Sequence, residues 1–133
     1  MLTVDEYRNQ FLTYLSDFQS PNKPENLYDP VSYILALKGK RIRPILTLFT
    51  CDIFNDNYEE AYDAALAVEV FHNFSLVHDD IMDEAPLRRG NATVHKKWDL
   101  STAILSGDVM LILAYQLFEN YSGDTFVSLA KLF

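Results

Sequence analysis

The chemistry in this chain concentrates in VHDDIMDEAPLRRG, residues 77–90. Asp79, Asp80, Asp83 and Glu84 stand near the end of an otherwise apolar helical stretch, and Arg88 and Arg89 follow directly. At about 3.6 residues per turn, Asp79 and Asp83 stack on one face of a helix. Two carboxylates that close repel one another, and acids near a helix C-terminus also oppose its dipole. Both costs point to a missing cationic partner, and hard divalent cations suit oxygen ligands. The twin arginines are placed for an anion held by such cations, and a diphosphate fits that description.

The same stretch carries other polar residues in register. Glu69, His72, Asp79 and Asp83 follow spacings of three, seven and four, so they share one stripe. Asp80 lies about 100° to one side of Asp79. An acid stripe on a buried helix is costly unless the charges are paired or metal-bound. The plain alternative is a solvated face where the helix leaves the core, against which the flanking Leu76, Val77, Ile81 and Met82 argue. His72 is either a ligand-binding residue of the stripe or a satisfied core histidine. The oxygen donor set favours Mg²⁺, typically held by one or two carboxylates plus substrate phosphates. Zinc would prefer histidine or cysteine, and His72, His78 and His95 lack a suitable spacing.

GKRIRP, residues 39–44, forms a second constellation. Lys40 and Arg43 stand three apart at the start of a predicted helix, so their side chains can converge. A helix N-terminus there adds N–H donors and a dipole that favours phosphate. Short basic runs are usually solvated, and this one gains meaning beside the acid stripe. The chain then carries two kinds of anion site, one acting through metals and one through bases directly.

Composition bounds what can position these groups. The 133 residues amount to one domain or part of one, and 49% apolar with 23% charged residues is a globular balance. Four glycines and five prolines leave long runs without breakers, which favours an all-α chain. A net charge of −8 argues against nucleic acid as the main partner. Yet eight of the eleven basic residues fall in two clusters, Lys38 to Arg43 and Arg88 to Lys97, as small anionic ligands would require. Cys51 is alone, so no disulfide framework exists and a reducing compartment is expected. The start, MLTVDEYRNQ, has no secretory signal pattern. The longest apolar stretch, Ala103 to Phe118, is interrupted by Asp108 and is expected to fall short of a membrane span. The expected setting is cytoplasmic, without a stable membrane anchor.

An amphipathic helix is predicted over 3–19, with Val4, Tyr7, Phe11, Tyr14, Leu15 and Phe18 on its apolar face. SPNKPENLYDP, residues 20–30, is expected to be a turn-rich connector, followed by a short helix through Tyr33 to Leu37 that breaks near Gly39. Pro44 suits the first turn of a helix carrying Ile45, Leu46, Leu48 and Phe49. After a connector at 55–57, a long buried helix is predicted from about Glu59 to Asp83, ended with help from Pro86. Residues 85–91 are expected to be a loop. Asp99 or Ser101 caps a helix to about Tyr121, Gly123 breaks it, and TFVSLAKLF starts another.

Taken together, GKRIRP, EVFHNFSLVHDDIMDEAPLRRGNATVH and LSGD at 105–108 resemble the trans-type polyprenyl diphosphate synthases over about residues 35–120. The family's first aspartate-rich motif, DDxxD, matches Asp79, Asp80 and Asp83. DDxxD alone is not specific: class I terpene cyclases share it, without the lysine–arginine site or the following RRG. The resemblance implies an all-α helical bundle of the isoprenoid synthase type, of which residues 1–133 are the N-terminal portion of a single domain. It further implies that Asp79 and Asp83 bind Mg²⁺ with Asp80 in support, and that Arg88 holds an allylic diphosphate. Lys40, Arg43, His72 and Arg89 would hold isopentenyl diphosphate. The implied reaction is ionisation, condensation and proton loss, catalysed by a homodimer. In the family, bulk four and five positions before the first aspartate limits product length. Here Ser75 and Phe74 occupy those positions, so Phe74 suggests a fifteen- or twenty-carbon product while Ser75 leaves longer ones open.

This sequence departs from the family in two ways. Lys38 stands where a first of two glycines is usual, and the family's second aspartate-rich motif is missing from these residues. Family enzymes are more than twice this length, so the 133 residues are expected to be inactive alone and to expose apolar surface where further helices would pack. Two other readings stand beside this one. One is a non-catalytic truncated chain or accessory subunit that binds diphosphate. The other is an HD-type metallophosphohydrolase, suggested by the His78–Asp79 doublet, which would leave GKRIRP unexplained.

Overall fold

The computed structural model describes residues 1–133 as seven α-helices, two 3₁₀ turns and one small hairpin. The chain divides into two compact units, the first holding residues 1–18, 41–69 and 114–133, the second residues 19–40 and 70–113. The all-α expectation holds.

In the first unit, α1 (Val4–Asp17) opens with a capping box: Glu6 N–H donates to Thr3 Oγ1 at 3.3 Å, and Thr3 N–H donates to the Glu6 carboxylate at 2.7 Å. Tyr7 and Phe11, one turn apart, are fully buried. The Tyr7 ring meets Phe49 of α3 (Ile42–Phe54) edge-on at 6.1 Å and Tyr58 at 5.6 Å. Val4, expected on that apolar face, is exposed as the first residue of the helix. Tyrosine hydroxyls tie the unit together. Tyr7 donates to Asp52 and Tyr14 to Asp63, while Tyr58 and Tyr62 both donate to Gln10 Oε1, at 2.7 and 2.9 Å. The first N–H groups of an α-helix lack partners within it. At the start of α4 (Tyr62–Met82), Tyr121 fills that role, accepting from Ala64 N–H at 3.0 Å and donating to the Glu60 carbonyl at 2.7 Å. After a 3₁₀ turn at Phe118–Asn120, α7 (Gly123–Ala130) already includes Gly123, two residues before the expected start at Thr125.

In the second unit, α2 spans Glu25–Ala36, so the expected connector over 20–30 is too long. Pro24 stands at the N-cap and opens the helix instead of breaking it, and Pro30 is accommodated inside it as a buried residue. The predicted loop at 85–91 also contains structure. Leu87–Arg88 (β1) pairs antiparallel with Asn91–Ala92 (β2) across Arg89 and Gly90, both at positive φ (52° and 80°). Two positive-φ residues are what a two-residue hairpin of the I′ kind demands. The Tyr33 hydroxyl of α2 donates to the Ala92 carbonyl at 2.7 Å and holds this hairpin. A short α5 (Val94–Lys97), absent from the sequence expectation, follows; the Trp98 ring beyond it meets Tyr33 at 5.3 Å. Asp99 caps α6 (Leu100–Leu117), accepting from Thr102 N–H at 2.7 Å.

With its 3₁₀ extension, α6 runs 21 residues from Leu100 to Asn120 and is long and apolar enough to cross a membrane. That corrects the expectation of a stretch too short: helical residues on both sides extend the run, and one aspartate does not disqualify it. Ala103, Ser106, Met110 and Ala114 of this helix are nonetheless buried within the protein, as in the core helix of a bundle. Apolar surface is exposed elsewhere. On α3, Leu46 is 55% and Phe54 85% exposed, whereas Ile45 and Leu48 are buried.

Burial raises the phenols of Tyr7, Tyr14, Tyr62 and Tyr121 above the ordinary value of about 10, and Tyr62 is pushed up to about 12. The acceptors Asp52 and Asp63 add to the shift at Tyr7 and Tyr14. The folded chain therefore binds these protons more tightly than the unfolded one. Their contribution to stability is complete below about pH 10 and is lost as pH rises through the folded values. Tyrosinate absorbance from these sites should develop together with loss of helical circular dichroism above about pH 10. Ionisation of all eight tyrosines with unchanged dichroism would show that the network is not buried.

At Gly107, α6 leaves room for the His78 side chain of α4. A methyl group there would stand 2.3 Å from Nε2 and 2.6 Å from Cδ2 of His78. The imidazole is fixed in place: Nε2–H donates to the Ile104 carbonyl at 3.2 Å, and the ring meets Phe74 at 4.9 Å. Gly107→Ala should destabilise the chain by about 1–3 kcal/mol through overpacking. In a His78→Ala background the same change should stabilise it, by up to about 1 kcal/mol of helix propensity. Urea denaturation of the four proteins checks this sign reversal; equal effects in both backgrounds would remove the steric explanation.

Candidate active site

The acidic end of α4 is built by its own termination. Asp83 N–H still bonds the Asp79 carbonyl at 2.8 Å, which keeps those two residues one helical turn apart. Next, Ala85 N–H reaches the Asp80 carbonyl at 2.9 Å and Glu84 N–H the Ile81 carbonyl at 3.1 Å. This nested pair is a Schellman motif, with Glu84 at φ 51° in the position that usually takes glycine. Thr93 secures the turn: its Oγ1 donates to the Ala85 carbonyl at 2.7 Å, and its N–H to the Pro86 carbonyl at 3.1 Å.

The three aspartates then separate by environment. Asp79 and Asp83 are exposed, and neither is engaged by a basic side chain. Asp80 is 2% exposed and accepts both arms of Arg88, Nε at 3.2 Å and Nη2 at 2.6 Å. That hydrogen bonding raises the Arg88 pKa, with the nearby charges of Asp80, Asp79 and Asp83 adding to it and burial opposing it. Two open carboxylates one turn apart match the protein share of a Mg²⁺ site that takes its remaining ligands from water and substrate phosphate. No three His, Cys, Asp or Glu side chains converge as a metal-ligand group. His78, in particular, turns toward α6 instead of joining Asp79.

Glu69 leaves the polar stripe. It forms an ion pair with Arg41, each side chain 3% exposed, within the first unit. The GKRIRP spacing does not single out Arg41, although a glutamate on a buried stretch of α4 demands a counter-ion and this basic cluster can supply one. Arg41 also sits at φ 52°, ψ 37° and forms the N-cap of α3, so the helix begins at Ile42. Lys40 therefore precedes the helix, and the helical three-residue spacing proposed for Lys40 and Arg43 does not apply. Both are exposed.

Lys40, His72, Asp79, Asp80, Asp83, Arg88 and Arg89 all belong to the second unit, and Arg43 to the first. Arg89 reaches back to the basic segment: a methyl group on Gly39 would stand 2.8 Å from its Nη1. The guanidinium thus lies on the backbone next to Lys40. On α4, His72 is half-buried, and Ser75 turns its hydroxyl to the His72 carbonyl at 2.7 Å. The ring of Phe74 is half-buried between those of Phe71, at 5.4 Å, and His78.

Comparison with known proteins places this arrangement. Residues 24–133 match the family described as polyprenyl synthetase. A geranylgeranyl pyrophosphate synthase of Geoglobus acetivorans is 42% identical over 103 residues, covering 77% of this chain and 32% of the relative. A geranylgeranyl diphosphate synthase of Sulfolobus acidocaldarius is 41% identical over 121 residues, covering 88% and 36%. A crystal structure of a geranylgeranyl pyrophosphate synthase superposes with a TM-score of 0.95 at 55% identity, covering 98% of this chain and 40% of that one. The chain thus spans about a third of the length of these curated relatives. With the family match extending from α2 to the last residue, the chain belongs to the polyprenyl synthetase family.

Proposed function

We propose that this chain contributes the first-aspartate-motif portion of a prenyltransferase domain that condenses isopentenyl diphosphate with an allylic diphosphate. The observation that carries the reading is the open Asp79–Asp83 pair beside an arginine couple, one member of which lies on Gly39 of the basic segment. Mg²⁺ held by Asp79 and Asp83 would neutralise the departing diphosphate. Arg88 donates to the allylic diphosphate, while Lys40, His72 and Arg89 hold isopentenyl diphosphate so that its double bond faces the carbon that ionises. The new carbon–carbon bond forms there, and loss of a proton completes the linear product. Apolar residues of α4 keep water from the cation. The relatives' names as geranylgeranyl synthases support a short-chain product. The same reading takes the protein as cytoplasmic and homodimeric.

A second reading, in which these residues bind diphosphate without turning it over, needs only the open Asp79–Asp83 pair and Arg88. Isotope-labelled isopentenyl diphosphate, an allylic diphosphate and Mg²⁺ separate the two. The 133-residue protein alone should give little or no turnover, and a polypeptide supplying the second aspartate-rich motif should restore it. Robust turnover by the chain alone would refute the half-site. Failure of the supplemented mixture, with diphosphate binding retained, would favour the accessory role.

Phe74 is the proposed limit on chain length, one turn before His78 on α4. In the supplemented enzyme, Phe74→Ala should shift products to longer prenyl chains by chromatography. An unchanged product would return Phe74 to ordinary packing, consistent with its ring contacts to Phe71 and His78.

A further inference from the structure

We propose that Lys38 is a further diphosphate-binding residue of the basic segment, one that takes the second phosphoryl group and makes the subsite prefer a diphosphate to a monophosphate. This rests on the proposed isopentenyl diphosphate site and adds to it a residue that departs from the family pattern, in which glycine is usual there. Lys38, Gly39, Lys40 and Arg89 all belong to the second unit. Buried Leu37 caps α2, and the chain leaves that anchor with Lys38 exposed. The Cα of Lys38 stands no more than about 7 Å from that of Lys40. Between them the Arg89 guanidinium lies against Gly39, with Nη1, Cζ and Nη2 at 2.8, 2.9 and 3.3 Å from the point a methyl carbon would occupy. Three cationic side chains thus spring from, or rest on, one glycine and its two neighbours. Lys38 itself joins no ion pair.

Like charges so close repel one another, and an anion among them turns that cost into a gain. The count of charge favours a diphosphate. A single phosphoryl group carries about −1.5 to −2 near pH 7, which Lys40 and Arg89 balance by themselves. The second phosphoryl group adds charge that calls for a third cation. The planar fork of Arg89, seated on the Gly39 backbone, suits two oxygens of one phosphoryl group. Lysines are compact charges on flexible four-carbon stems, so Lys38 follows the far phosphoryl group without a preformed pocket. The competing role for Lys38 is to offset the dipole at the C-terminus of α2, whose last turn has no basic residue. That role would show in stability and not in anion affinity.

The test reads calorimetric binding of inorganic diphosphate and of inorganic phosphate to the 133-residue protein, with a chelator present so that only the base-held site reports. Lys38→Gln should weaken diphosphate binding about fivefold, leave phosphate binding within about twofold, and flatten the dependence of diphosphate affinity on salt. Lys38→Arg, which keeps the charge, should restore most of the affinity. A measurement on the unaltered sequence covers the case of a variant that does not fold. After reductive methylation with an isotope label, which preserves lysine charge, the Lys38 resonance should shift when diphosphate is added and stay in place with phosphate. The resonances of Lys23 and Lys131 should respond to neither. Equal weakening for both anions, diphosphate affinity unchanged in Lys38→Gln, a lowered melting temperature as its only effect, or a Lys38 resonance unmoved by diphosphate overturns the role of Lys38 while the basic subsite stands. An unaltered protein that binds no diphosphate overturns both.

Discussion

A carboxylate buried on a helix needs a counter-ion, and Asp80 finds one eight residues later in Arg88. That pairing determines how the chain leaves α4. The helix stops in a Schellman turn, Thr93 binds the carbonyls of Ala85 and Pro86, and the hairpin reverses at Arg89 and Gly90. With Arg88 facing Asp80, its neighbour Arg89 comes to lie on Gly39. The acidic and basic motifs, 40 residues or so apart in the chain, are thereby joined by one short return of the backbone.

The local backbone bears the cost of this arrangement. Arg41, Glu84 and Arg89 are the non-glycine residues at positive φ, and all three lie within or beside the two charged motifs. Such a conformation costs roughly 1–2 kcal/mol for an L-residue and persists where surrounding contacts over-determine it. Here those contacts are visible: Arg41 is tied to Glu69, Glu84 lies inside a nested turn, and Arg89 forms the hairpin reversal. Glu69, Asp79, Asp80 and Asp83 divide on the same principle. Glu69 and Asp80 are buried and paired with arginine, so they serve the fold, which leaves Asp79 and Asp83 as the charges that still lack a partner.

Much of this was legible in the sequence because it depends on local spacing. Four residues put Asp79 and Asp83 on one face whatever the tertiary context, and Asp99 and Gly123 marked helix boundaries by chemistry that acts within one turn. Failures occurred where a distant group decides the outcome. Pro24 and Pro30 read as breakers, yet one opens α2 and the other is buried inside it. Glu69 read as part of a ligand stripe because its counter-ion lies 28 residues away in the chain. Lys40 and Arg43 read as helical neighbours because nothing local reveals that Arg41 turns left-handed before the helix starts. The hairpin was hidden for a similar reason: Arg-Gly is a weak turn signal compared with Asn-Gly, and the Tyr33 hydroxyl, the Thr93 bonds and the Arg88–Asp80 pair hold it from outside the turn.

The glycines of the two recognisable motifs act by absence of a side chain. Gly107 lets the His78 ring enter α6, and Gly39 gives the Arg89 guanidinium a bare backbone to rest on. This bears on the lysine at position 38, where the family usually has glycine. Lys38 is exposed, and the close approach falls on Gly39, the glycine that this chain retains. Substitution at 38 therefore leaves the seat of Arg89 intact. A side chain at 39 would instead displace the arginine, because the group it meets is the mobile end of a long side chain and yields before the backbone does. The tolerance of one position and the demand at the next follow from the same 2.8 Å contact.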